Sequence, residues 1–167
     1  MMTRKLLGVA ARILRNPRCV VEVAQSGPSI DMTTPSDILE VKGGSTTLIW
    51  IPDSPLAVLR YDPGTTLGAA DGAFLRQTLT SCIDESREHF GVLADYTNGR
   101  ATDAEYRAEA REFFQAHRDT ACVAIFNASA VIRIAAELFR VATGIRLKAL
   151  PDEAAARSWL RSMGIGA

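Results

Sequence analysis

Apolar and polar positions change their period several times along the 167-residue chain, and each change marks an element. Residues 3–15 set Leu6, Leu7, Val9, Ala10, Ile13 and Leu14 at helical spacing among basic residues, which predicts a short basic amphipathic helix. Residues 16–45 carry Pro17, Pro28, Pro35 and the pair Gly43-Gly44 around one strand-like run at 19–23, the punctuation of a linker or loosely packed extension. From Thr46 the β-rich runs TTLIWI and LAVLRY, joined by PDSP, predict a hairpin. The period then lengthens, and Phe74, Leu75, Leu79, Cys82, Ile83 and Phe90 predict a helix that Gly91 stops as a C-terminal glycine. GVLAD is a short continuous apolar run and predicts a buried strand. A second helix follows with Tyr106, Ala110, Phe113, Phe114 and His117 on one face, then ACVAIF as another buried strand. A third helix over 129–143 ends at Gly144, and IRLKAL is the last strand. Pro151, with Asp152 and Glu153 behind it, opens a final helix that sets Ala155, Trp159, Leu160 and Met163 on one side.

The order ββαβαβαβα predicts an α/β fold, an opening hairpin followed by a mostly parallel sheet with helices packed on it. Residues 1–45 form an arm and linker in this reading, and residues 46–167 form the folded domain. No internal repeat or low-complexity tract interrupts it.

A hydrophobic content of 47% suffices for one core in a chain of this length. The net charge is zero, yet the first eighteen residues hold Arg4, Lys5, Arg12, Arg15 and Arg18 with no acid, so a +5 arm adjoins a −5 body. No nucleic-acid partner is expected. Cys19, Cys82 and Cys122 have neither the paired spacing of a zinc site nor the density of a disulfide scaffold, which suits a reducing interior. No run approaches the roughly 18 consecutive apolar residues of a membrane span. The expected location is cytoplasmic, with neither cofactor nor metal.

The strand-loop-helix stretch GVLADYTNG, the stretch CVAIFNASAVIRIAAELF, and IRLKALPDEAAARSWL with Ala156, Trp159 and Leu160 together carry a family resemblance. The chain from about 46 to 163 resembles the STAS domain of bacterial anti-sigma-factor antagonists, and more closely its STAS/SEC14-like relatives. The resemblance implies a regulatory or scaffolding module that binds protein partners, and in some branches a small ligand or lipid. In the antagonist branch it also implies a phosphorylated Ser or Thr at the start of the second helix. The matching stretch is Ala101-Thr102-Asp103-Ala104, which keeps the hydroxyl without the preceding Asp or the Gly and makes Thr102 a candidate phosphoacceptor.

The residues themselves give Thr102 another task. With Glu105 three positions on, it matches a capping box, in which hydroxyl and carboxylate satisfy orphan backbone N–H groups. Asp95 closes a central strand at the edge where open α/β sheets hold ligands. Its loop adds Thr97, Asn98 and Arg100 as candidate ligand or partner contacts, but no His or Cys, so a loop-bracing carboxylate is favoured over a catalyst. His89 and His117 each fall in the last turn of a predicted helix, where the dipole favours a partly positive imidazole. Gly64 and Gly68 could form an anion nest, although a flexible connection is the ordinary explanation.

Val131, Ile132, Ile134, Ala135, Leu138, Phe139, Val141 and Ala142 wrap most of the third helix. Arg133, Glu137 and Arg140 are left as a narrow polar stripe with one i,i+4 ion pair. A helix apolar on nearly every side is expected to be buried on nearly every side, by its own domain or by a partner. The candidate interface is therefore Leu6, Leu7, Ile13 and Leu14 of the arm with Arg133 and Arg140 of this helix. The function expected is a non-enzymatic regulatory or scaffolding module acting through protein-protein contact, a homo-oligomer assembled through the arm. Peripheral membrane contact by the arm is a second, weaker reading because the segment is short. The alternative function is a SEC14-like small-ligand or lipid-binding protein, which requires a closed apolar cavity on the order of 300 Å³ or more.

Overall fold

Tight turns between Leu39 and Tyr61 and helical crossovers beyond Tyr61 decide the strand directions of the main sheet. The computed structural model describes residues 11–12, 38–51, 53–83 and 89–166. The strands β1 (Ala11–Arg12), β2 (Leu39–Gly43), β3 (Thr46–Ile51) and β4 (Leu56–Tyr61) come first, and β5 (Thr65–Leu67) leads into helix α1 (Ala69–Cys82). Strands β6 (Phe90–Asp95) and β7 (Gly99–Thr102) precede α2 (Ala104–Ala116), and β8 (Ala121–Phe126) precedes α3 (Ala130–Thr143). Strand β9 (Arg146–Leu150) and α4 (Glu153–Ser162) complete the order.

The main sheet runs β1-β2-β3-β4-β6-β8-β9, antiparallel from β1 to β4 and parallel from β4 to β9. Short turns can join only antiparallel neighbours, whereas α1, α2 and α3 each return the chain to the same end of the sheet. A separate parallel pair joins β5 to β7, so four of the seven strand pairings are parallel. The chain is an α/β protein, its described residues placing four helices on a largely parallel, mixed sheet.

Alternate residues of the central strands feed two cores. Leu59, Val92, Ala94, Val123 and Ile125 pack with Leu75 and Leu79 of α1, Phe113 and Phe114 of α2, and Ile132 of α3. On the opposite face Leu56, Val58, Leu93, Cys122, Ala124 and Phe126 pack with Ala156 and Leu160 of α4 and with Ile165. Burial on both faces explains the unbroken apolar runs of β6 and β8.

Several expectations need correction. The sheet extends before Thr46, because β2 lies within the stretch assigned to a linker and pairs along its whole length with β3, from Leu39↔Trp50 to Gly43↔Thr46. Gly44 makes the intervening turn at φ +59°, a conformation that glycine enters without steric cost. Within the predicted basic helix, Ala11 and Arg12 are extended and pair with Val41 and Glu40. Leu6, Leu7, Ile13 and Leu14, with the run at 19–23, lie outside the described residues.

Helix α1 stops at Cys82, with Ile83 extended behind it, so Phe90 and Gly91 belong to β6. The glycine at 91 answers to packing rather than to helix termination. A Cβ there would lie 2.7 Å from Ile165 Cγ2 and 3.0 Å from Leu56 Cδ1. Pro151 precedes the helix it was expected to open, since the Asp152 carboxylate is the N-cap and accepts the Ala155 N–H at 2.8 Å. Between Gly64 and Gly68 the expected flexible connection is instead the short strand β5.

Candidate functional site

Asp95 ends β6 at the carboxyl edge of the parallel strands, as expected. One oxygen of its side chain gathers three donors: the Thr97 N–H at 2.9 Å, the Thr97 hydroxyl at 2.6 Å and the Asn127 amide at 3.3 Å. The same Asn127 amide donates to the Thr97 hydroxyl at 2.8 Å. Asn127 follows β8 at φ 54°, a left-handed conformation that asparagine tolerates better than most residues. The network thus braces two neighbouring strand-end loops across the sheet edge. Asn98 and Arg100 are exposed, and the Asn98 carbonyl accepts the Gly64 N–H at 3.1 Å, which holds the β4–β5 turn against this loop. Among the described residues no group of His, Cys, Asp or Glu is arranged to hold a metal ion. The geometry is that of a fixed loop whose acid already serves neighbouring donors.

Thr102 is not the N-cap of α2. It is the last residue of β7, and Asp103 caps the helix by accepting the Tyr106 N–H at 2.7 Å. A carboxylate one position later competes successfully for the same orphan donors. The Thr102 carbonyl instead accepts from the Arg107 guanidinium, which also lies 3.4 Å from the Thr102 hydroxyl.

Asp71, absent from the expected sites, is a buried acid with a structural task. Its carboxylate accepts the Ser45 N–H at 2.9 Å, the Thr46 hydroxyl at 3.1 Å and the Gly68 N–H at 3.1 Å. The first turn of α1 is thereby fixed to the β2–β3 turn. Gly68-x-x-Asp71 is a one-sided capping pattern, a carboxylate at the third helical position reaching back to the cap N–H, and that spacing was the available signal.

The two histidines differ in how they answer to the helix-end expectation. His117 does cap α2, but it packs against Phe113 at 4.6 Å and Phe90 at 5.6 Å between ring centres. Burial lowers its pKa, so the imidazole is held neutral rather than favoured as a cation. His89 directly precedes β6 instead of closing a helix, and its buried Nδ1 has no hydrogen-bond partner among the described residues.

A cavity of about 80 Å³ lies between α2, α3 and the sheet, walled by Val92, Ile125, Ala110, Phe139 and the three tyrosines Tyr61, Tyr96 and Tyr106. The volume is well below the roughly 300 Å³ typical of pockets for drug-sized ligands. Tyr61 and Tyr106 are buried and Tyr96 half-buried, and burial raises the pKa of all three phenols. Their hydroxyls are close enough to affect one another's ionisation, yet the Tyr61 hydroxyl meets no partner in hydrogen-bonding geometry among the described residues.

Of the two ways to bury α3, its own domain supplies cover on one face alone. The helix begins at the Ser129 cap, whose hydroxyl accepts the Ile132 N–H at 3.3 Å, and ends at left-handed Gly144, both bounds as predicted. Its inner face buries Ile132 and Thr143. Val131, Ile134, Leu138 and Val141, however, are 72%, 64%, 67% and 70% exposed. The domain covers one side of an almost wholly apolar helix and leaves the other open. Arg133 and Arg140 are exposed on the polar flank, where Glu137 pairs with Arg140 at 2.5 Å in an i,i+3 geometry instead of the expected i,i+4 pair with Arg133.

The comparisons with known proteins add nothing to this geometry. The chain matches no family model, no curated protein and no solved structure. Among the described residues no helix is long and apolar enough to cross a membrane.

Proposed function

We propose that the chain is a non-enzymatic regulatory or scaffolding module of STAS-like topology that acts by binding protein through the outer face of α3. The observation that carries this reading is the exposed row Val131, Ile134, Leu138 and Val141. Scattered apolar residues on a surface need no explanation, but four large ones aligned on one rigid helix form a contiguous patch of the kind that marks interaction sites. Amphipathic helix faces of this form dock against other helices or into apolar grooves. The small-ligand or lipid-binding alternative requires the space between α2 and α3 to widen severalfold beyond its 80 Å³.

A photo-crosslinking residue at position 138, irradiated in native extract, tests the reading. A defined protein adduct is expected, weakened by Ile134→Glu and absent when the same probe replaces exposed Arg118. Equal, unspecific labelling from positions 138 and 118 would remove the α3 face from consideration.

A further inference from the structure

We infer that the protein covering α3 is a second copy of the chain, its own α3 packed antiparallel across a two-fold axis. This inference rests on the proposed role of α3 as a docking face. The exposed residues fall at intervals of three, four and three, the a/d seam of helices that interlock side by side. The seam is also symmetric about Ala136: Val131 and Val141 stand five positions from it, Ile134 and Leu138 two. Reversing the helix direction therefore sets Val131 against Val141 of the other copy and Ile134 against Leu138. Each of these four apolar side chains meets an apolar one, the self-complementarity that a two-fold interface demands.

Charge supports the same register. In an antiparallel two-fold pair, the polar flank of one helix adjoins the polar flank of the other. Arg133 forms no ion pair with a described residue of its own chain. In this register Glu137 of the second copy stands two positions away along the axis, about 3 Å at the helical rise. The two Glu137 side chains also approach each other near the axis, each already neutralised by its own Arg140 at 2.5 Å. Four side chains per copy make a smaller patch than the roughly 800 Å² per partner of a standard interface, so a reversible dimer in the micromolar range is expected.

The test uses the full chain. Sedimentation equilibrium up to about 300 µM is expected to show a monomer-dimer equilibrium. Leu138→Glu, an exposed position whose change spares the core, should raise the dissociation constant roughly 100-fold with an unchanged circular dichroism spectrum. For register, chains with benzoylphenylalanine at 131 are mixed with ¹⁵N-labelled chains and irradiated. The adduct should join light and heavy chains at the peptide containing Val141.

Three outcomes overturn the inference: a monomer throughout the range, a dimer indifferent to Leu138→Glu, or an adduct joining 131 to 131. A monomer that still gives a specific adduct at 138 with another protein would sink the second copy and leave the docking face standing. A monomer with no such adduct would sink both.

Discussion

The Asp71 carboxylate accepts the Ser45 backbone N–H at 2.9 Å across 26 positions of sequence, so the turn between β2 and β3 is held by the first turn of α1. The same group takes the Thr46 hydroxyl and the Gly68 N–H, and it is 7% exposed. Buried donors left without an acceptor retain their full desolvation penalty.

Asp71→Ala is therefore expected to lower stability by about 3 kcal/mol, because three donors lose a charged acceptor together. Asp71→Asn should cost less, since the amide oxygen can still accept while the amide nitrogen faces a donor. Urea denaturation of both variants checks the ranking. A loss below about 1 kcal/mol for the alanine variant would mean that water replaces the carboxylate at little cost.

The cap of α2 yields a second comparison. Asp103 accepts the Tyr106 N–H at 2.7 Å, whereas Thr102 makes no bond to the helix amides among the described contacts. Asp103→Ala should cost about 1 kcal/mol and Thr102→Ala well under half of that. The reverse order in chemical denaturation would return the cap to Thr102.

Strands buried on both faces, such as ACVAIF and GVLAD, announce themselves by unbroken apolar runs, and Ser129 and Gly144 bound α3 by their local chemistry. Strand β2 did not stand out. Its five residues LEVKG alternate in burial, sit among Gly and Pro, and become a strand only through pairing with β3. Gly91 carries the residue type of a helix stop but satisfies a contact with Ile165, remote in sequence. Asp71 and Asn127 act through partners brought close by the fold, on residues whose local patterns are modest. For α3 the apolar breadth was legible, but which side the domain leaves open depends on where α2 and the sheet lie.

His117 sets an expected pH dependence. Burial against Phe90 and Phe113 lowers its pKa from the ordinary value of 6.5, so the unfolded chain binds the proton more readily than the folded one. Its contribution to stability is present above that value and declines as pH falls from about 6.5 towards the lower folded-state pKa. Urea denaturation at a series of pH values should show a shallower decline for His117→Phe, which keeps the ring packing and removes the titration. Parallel profiles for the two proteins would show that the imidazole is as easily protonated in the fold as outside it.

The tyrosines provide the last prediction, because Tyr61, Tyr96 and Tyr106 are the only three in the chain and all line one cavity. Tyr61 and Tyr96 pack with ring centres 5.0 Å apart, and burial raises every phenol above the ordinary value of 10.0. A folded-state pKa above the unfolded one stabilises the fold below pH 10, and that contribution is lost as pH rises through the elevated values. Absorbance at 295 nm should therefore stay flat past about pH 10 and then rise in one step together with the loss of the far-ultraviolet dichroism. Tyr61→Phe should leave stability unchanged or raise it by up to about 1 kcal/mol, since it removes a buried hydroxyl that meets no partner in hydrogen-bonding geometry among the described residues. Gradual ionisation near pH 10 in a chain still folded would show the cavity open to water. A clear loss of stability in Tyr61→Phe would show that its hydroxyl is hydrogen-bonded in solution.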